Sequence, residues 1–128
     1  MTGGGARRRC EAARAETLAD ALSVRWPELA NRMQYVEEDL EHVETDPSVL
    51  VTSVHACGPL TDLVLERAVA GGASVAVMPC CHSLRKQPVP PVPGLDAEGL
   101  RERAEEIGSA PQAIDAARVD ALRSCGYT

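Results

Sequence analysis

Two short β-branched runs, about twenty residues apart, constrain this chain more than any other feature. Val49-Leu50-Val51-Thr52-Ser53-Val54 and Ala73-Ser74-Val75-Ala76-Val77-Met78 are nearly continuous apolar stretches, the pattern of strands covered on both faces. Between them, about Leu60 to Ala70 reads as a helix. Thr61 or Pro59 opens it, Val64 and Ala68 fall on one stripe, and Gly71-Gly72 closes it. Strand, short helix, strand with about a dozen residues of crossover is a βαβ unit, which gives parallel strands and a right-handed connection. The expected fold class is therefore α/β.

The flanks extend this unit. Residues 5–26 read as a helix, with Ala15, Leu18, Leu22 and Trp26 at helical spacing and Pro27 as its stop. Arg32 to Glu37 is short and β-prone, a candidate third strand, and ends at the acidic pair Glu38-Asp39. Asp46-Pro47-Ser48 reads as a turn. Residues 87–94, rich in proline, exclude helix and central strand and are read as a stiff surface loop. One helix is expected from Asp96 to Ile107, stopped by Gly108. Another opens with the capping box Ser109-x-x-Gln112 and ends near Cys125-Gly126.

With 128 residues, the expectation is one domain over 1–128. The chain has no Phe, one Trp and two Tyr, so its core must be built from Ala, Val and Leu. A net charge of −6 argues against a free-standing nucleic-acid-binding module. No apolar run approaches the roughly 18 residues of a membrane span, so no membrane partner is expected. Met1 to Arg9 is basic but lacks the apolar stretch of a secretory signal. Five cysteines, including the adjacent Cys80 and Cys81, suggest no disulfide framework, and a reduced, cytoplasmic protein is expected.

Ligands of open parallel sheets bind outside the carboxyl ends of the strands, and the unusual residues fall there. Glu38 and Asp39 follow one strand, His55 to Gly58 the next, and Pro79 to Ser83 the third. Each has a plain alternative. Free cysteine is usually a small buried hydrophobe, His55 can bond a loop carbonyl, and Thr61-Asp62 can serve as helix capping. The clustering says more than any one member. Residues two apart on a strand share a face. His55 and Cys57 therefore converge with Cys80 and His82 in this reading, a ligand set suited to tetrahedral zinc, and Cys81 points away. A redox-active thiol protein using Cys80 or Cys81 ranks last, because the spacing is not Cys-x-x-Cys.

His55-Ala56-Cys57-Gly58-x-x-Thr61-Asp62, followed by Pro79-Cys80-Cys81-His82, resembles a group of S-adenosylmethionine-dependent methyltransferase domains. That group includes the tRNA 2′-O-methyltransferase that acts near the acceptor stem and its bacterial relatives. Ala113-Ile114-Asp115-Ala116-Ala117-Arg118, Leu122 and Gly126-Tyr127 are also similar to the bacterial members, so the resemblance covers roughly residues 10–127. It implies a partial Rossmann-like methyltransferase sheet with mostly parallel strands. It implies that Asp39 bonds the adenine amino group and that His55, Ala56, Cys57 and Gly58 lie beside the methionine end of S-adenosylmethionine. Thr61 and Asp62 belong to the same cofactor-binding motif, and Cys80, Cys81 and His82 would face the methyl acceptor. His55 or His82 would be the base, with Cys57 among the catalytic candidates.

The pattern is departed from at both ends. Gly3-Gly4-Gly5 has only Met1-Thr2 before it, so no strand feeds a glycine-rich turn, and the final pair of strands is missing after Thr128. The chain is thus read as the middle of a methyltransferase that binds cofactor weakly alone and needs a second copy or a complementing chain. The acceptor stays open: RNA is one candidate, which the charge does not support. Arg7-Arg8-Arg9 and Arg85-Lys86 are read as solvated charge. The alternative function is a non-catalytic metal-binding or interaction module on the same remnant.

Overall fold

A computed structural model describes the backbone of residues 3–128 and the side chains from Ala13 onward. Met1-Thr2 and the side chains of Arg7-Arg8-Arg9 lie outside the described part. The chain forms two compact units, one up to Asp39 and one from Leu40.

The first unit is built on one helix, α1 (Gly3–Arg25), followed by a 3-10 turn at Pro27–Leu29. Proline at position 27 ends α1 because it cannot donate to the preceding turn. The Arg25 guanidinium stands 5.6 Å from the centre of the Trp26 ring, within cation–π range. Ala15 and Leu22 are half-buried, whereas Leu18 and Trp26 are exposed. Arg32 to Glu37 forms no strand, contrary to expectation. Its only apolar pair after Met33 is Tyr35-Val36, both exposed, and a strand without a hydrogen-bonded neighbour has no ladder to hold it.

The second unit holds the βαβ motif: β1 (Leu50–Cys57), α2 (Pro59–Gly71) and β2 (Ser74–Cys80), with β1 and β2 parallel. The sheet has these two strands among the described residues, not three. Both run two or three residues past the expected stops, because the ladder continues to Cys57 opposite Cys80. Nor are they covered on both faces. Leu50, Thr52 and Val54 of β1 pair with Ser74, Ala76 and Met78 of β2, and all six are exposed. The other face is half-buried, and α2 contributes buried Val64, Leu65 and Ala68 to the unit's interior.

Two positions on α2 require glycine. Gly58 caps its start with φ of 55°, a left-handed value that costs a side-chain-bearing residue strain. A Cβ on Gly71 would stand 2.2 Å from the Thr45 carbonyl oxygen. That contact lets residues 43–45 lie against the helix end, where Thr45 Oγ1 donates to the Arg67 carbonyl at 2.7 Å.

Two C-terminal helices follow, α3 (Ala97–Ile107) and α4 (Ala110–Ser124). Asp96 caps α3 through the Gly99 amide, Gly108 ends it in a left-handed conformation, and Ser109 accepts from the Gln112 amide. Ala104, Ala113 and Ala117 let the pair pack closely around Leu100 and Ile114. The proline-rich segment 87–94 is neither helix nor strand, as expected, but it is more than a surface loop. Val89 and Val92 pack on the α3–α4 core, and Pro90 is buried. Tyr127 then docks the chain end, donating from its hydroxyl to the Ala73 carbonyl at 2.7 Å. No helix among the described residues is long and apolar enough to cross a membrane.

Candidate functional site at the strand ends

Parallel strands deliver their last residues side by side, and here both end in cysteine. Between Val54↔Met78 and Cys57↔Cys80, β1 spends three residues where β2 spends two, a bulge at which His55 adopts φ of 62°. The extra residue shifts side-chain parity, so counting alternate positions from His55 misleads. Cys57 Sγ lies 3.1 Å from Cys80 Sγ and 3.6 Å from Cys81 Sγ. Cys81 reaches the group because its own backbone turns left-handed, with φ of 56°. All three sulfurs lie within 4.8 Å of one another, a spacing at which a metal ion fits.

The four-residue set His55, Cys57, Cys80 and His82 is therefore not what the structure assembles. Cys57 and Cys80 meet, Cys81 joins them, and the two histidines stand outside the group. His55 is exposed at the bulge. His82 is nearly buried, and its Nε2 bonds Asp115 Oδ1 at 2.9 Å. Nor are the cysteines buried packing residues: Cys57 and Cys81 are exposed and Cys80 is half-buried.

The proximity of the thiols splits their acidities. Cys57 is held below its ordinary thiol value by hydrogen bonding with Cys80 and then with Cys81. Cys80 is pushed up to about 12, first by the bond to Cys57 and then by desolvation. The two shifts run in opposite directions, favouring a thiolate at Cys57 over one at Cys80.

The remaining residues singled out in the sequence serve the frame. Thr61 is fully buried, and its hydroxyl donates to the Ala56 carbonyl, tying the first turn of α2 back to β1. Asp62 takes a bidentate bond from Arg118, with Nε to Oδ1 at 2.8 Å and Nη2 to Oδ2 at 3.2 Å. Asp62 also accepts from the Gln87 side-chain amide. Arg118 further donates to Asp115 at 2.9 Å and to the Gly58 carbonyl at 3.2 Å. Burial alone would lower the Arg118 pKa, but Asp62 and then Asp115 outweigh it and keep the guanidinium charged. One arginine so joins the turn after β1, the start of α2 and, through Asp115, the His82 segment after β2. Asp39 closes the first unit.

Asp115, Arg118 and Gln87 went unrecognised as site residues. The signal for Arg118 was present: it shares the buried stripe of α4 with Ile114 and Ala117, and an arginine on an apolar stripe needs a carboxylate partner. Gln87 carries a second signal visible only in three dimensions. Its Oε1 is buried with no hydrogen-bond partner and lies 4.0 Å from where a Cβ on Gly58 would stand.

Comparison with known proteins bears on the fold. No curated protein and no solved structure matches the chain. A family model described as a methyltransferase domain matches residues 7–87, a span that includes α1 from residue 7 onward, the βαβ unit and all three clustered cysteines. The parallel pair with its flanking helices is accordingly a partial Rossmann-like methyltransferase fold, and the chain belongs to the methyltransferase-domain family.

Proposed function

We propose that this chain carries the acceptor side of an S-adenosylmethionine-dependent methyltransferase site. The supporting observation is the convergence of the two motif segments, with Cys57 and Cys80 as partners at the ends of neighbouring parallel strands. That is the edge where ligands of such sheets bind. Bound S-adenosylmethionine supplies an electrophilic methyl group. The strand end His55-Ala56-Cys57-Gly58 fits its methionine end, because the small Ala56 and Gly58 allow close approach and Gln87 Oε1 is a buried acceptor with no protein donor. Asp39 is the adenine-side residue by resemblance.

His82 is the better of the two candidate bases. With Nε2–H donated to Asp115, a neutral ring has Nδ1 as its basic atom, and the carboxylate fixes that tautomer. Asp115 is in turn held by Arg118, itself paired with Asp62, so Arg118 positions the base through Asp115. RNA remains a candidate acceptor, opposed by the net charge of −6.

The described residues include no glycine-rich turn between a strand and a helix, so cofactor affinity in these 128 residues is expected to be weak, with Kd on the order of 1 mM. Titration of ¹⁵N-labelled protein with S-adenosylmethionine checks this by NMR. Shifts concentrated at residues 55–61 and 80–83, saturating near millimolar cofactor, are expected. Absence of shifts at those residues at 10-fold higher concentration overturns the reading.

A further inference from the structure

Three cysteines at one sheet end call for an explanation that packing does not supply. Two of them are exposed, whereas cysteine retained for packing is among the most buried residue types. A disulfide between Cys57 and Cys80 would account for two thiols and leave the third unexplained, although Cys81 takes a left-handed backbone at the point where its sulfur joins the group. A metal ion accounts for all three.

The distances suit one. At a metal–sulfur length of about 2.3 Å, two sulfurs of a tetrahedral set lie about 3.8 Å apart. The observed 3.1 and 3.6 Å separations need to open by less than about 1 Å to reach that geometry. Cys80 and Cys81 are neighbours on one segment and Cys57 comes from the other strand, so an ion would clip β1 to β2 where the bulge breaks their pairing.

We propose that Cys57, Cys80 and Cys81 form a three-thiolate site for a thiophilic d¹⁰ cation such as zinc, with the fourth position open to solvent. The two-cysteine, two-histidine set is thereby replaced: His82 is engaged by Asp115, and His55 lies outside the cluster. On binding, three S–H bonds break, three metal–sulfur bonds form, and the three protons pass to solvent, with no change of oxidation state. The proposal stands independently of cofactor binding, because cofactor is read by NMR shifts and metal by thiolate absorbance.

The test is titration of reduced, chelator-treated full-length chain with cadmium alone, following the thiolate-to-metal charge-transfer absorbance. One ion per chain is expected. Cys57→Ser, Cys80→Ser and Cys81→Ser should each weaken binding at least about tenfold, and Cys125→Ser should leave it unchanged. Mass-spectrometric mapping of alkylated cysteines in the wild-type chain gives a readout that does not depend on variants folding. Bound cadmium should protect residues 57, 80 and 81 and leave Cys125 reactive. Protection of any other set, binding that survives loss of Cys81, or binding that His55→Ala abolishes overturns the three-thiolate site.

Discussion

Arg118 decides whether the strand-end turn holds its shape, because one buried guanidinium serves Asp62, Asp115 and the Gly58 carbonyl at once. Its side chain is 5 % exposed, against 22 % for Asp62 and 40 % for Asp115. Breaking a buried pair by removing one partner costs about 3–5 kcal/mol. Water reaching both carboxylates reduces that, so Arg118→Ala is expected to cost about 2–3 kcal/mol. Urea unfolding followed by circular dichroism measures it, and a loss below about 1 kcal/mol would remove Arg118 from this role. Arg118→Met combined with Asp62→Leu should recover part of the loss, since apolar residues can replace a buried pair that neither can leave half-made. At this scale the sequence revealed chemical types better than geometry. His55, Cys57, Cys80, Cys81 and His82 all stand at or beside the strand ends, but the membership of the thiol cluster turned on two left-handed residues and one bulge. No rule of alternation anticipates those.

Among the helices, α2 is fixed at its start, along its middle and at its end. Its start is fixed by Gly58 and Thr61, its middle buries Val64, Leu65 and Ala68, and its end is overlaid by Thr45. Gly71→Ala would place a methyl group within 2.2 Å of the Thr45 carbonyl oxygen and Oγ1. A backbone oxygen cannot rotate aside, so the 43–45 strap must move and its bond to the Arg67 carbonyl must weaken. The expected loss is about 1–3 kcal/mol, against a gain of up to ~1 kcal/mol that alanine would otherwise bring inside a helix. Thermal unfolding reads the sign: a Tm equal to or above that of the parent chain would show that the strap yields freely. The helices were legible because their boundaries are local chemistry. Asp96, Gly108, Ser109 and Gly72 act within one turn of themselves. The strand expected at Arg32–Glu37 does not form, because a strand exists only with a neighbour to pair with, and that neighbour is a tertiary fact. Coverage of the sheet misled for the same reason: β-branched runs suit burial on two faces but do not supply the second layer.

At the scale of the whole molecule, the open sheet face is the main unsolved cost. Leu50, Val54 and Met78 are 60 %, 63 % and 66 % exposed, and they lie on one face because Val54 pairs with Met78 and Leu50 is an even number of residues from Val54. A two-stranded sheet also leaves an outer edge on each strand, whose amides and carbonyls can pair with another strand. A second copy of the same chain meets both needs, since a two-fold axis sets each face and edge against its own equivalent. The charge of −6 per chain opposes association only weakly once salt screens it over about 8–10 Å. Self-association is therefore expected at tens of micromolar protein and physiological salt. Light scattering should give a mass above the 13.6 kDa of one chain. Leu50→Lys with Met78→Lys should return it to the single-chain value, because two ammonium groups cannot be buried unpaired in an apolar contact. A monodisperse monomer for the parent chain under those conditions would show that the exposed face is tolerated in water and that the second-copy reading is wrong.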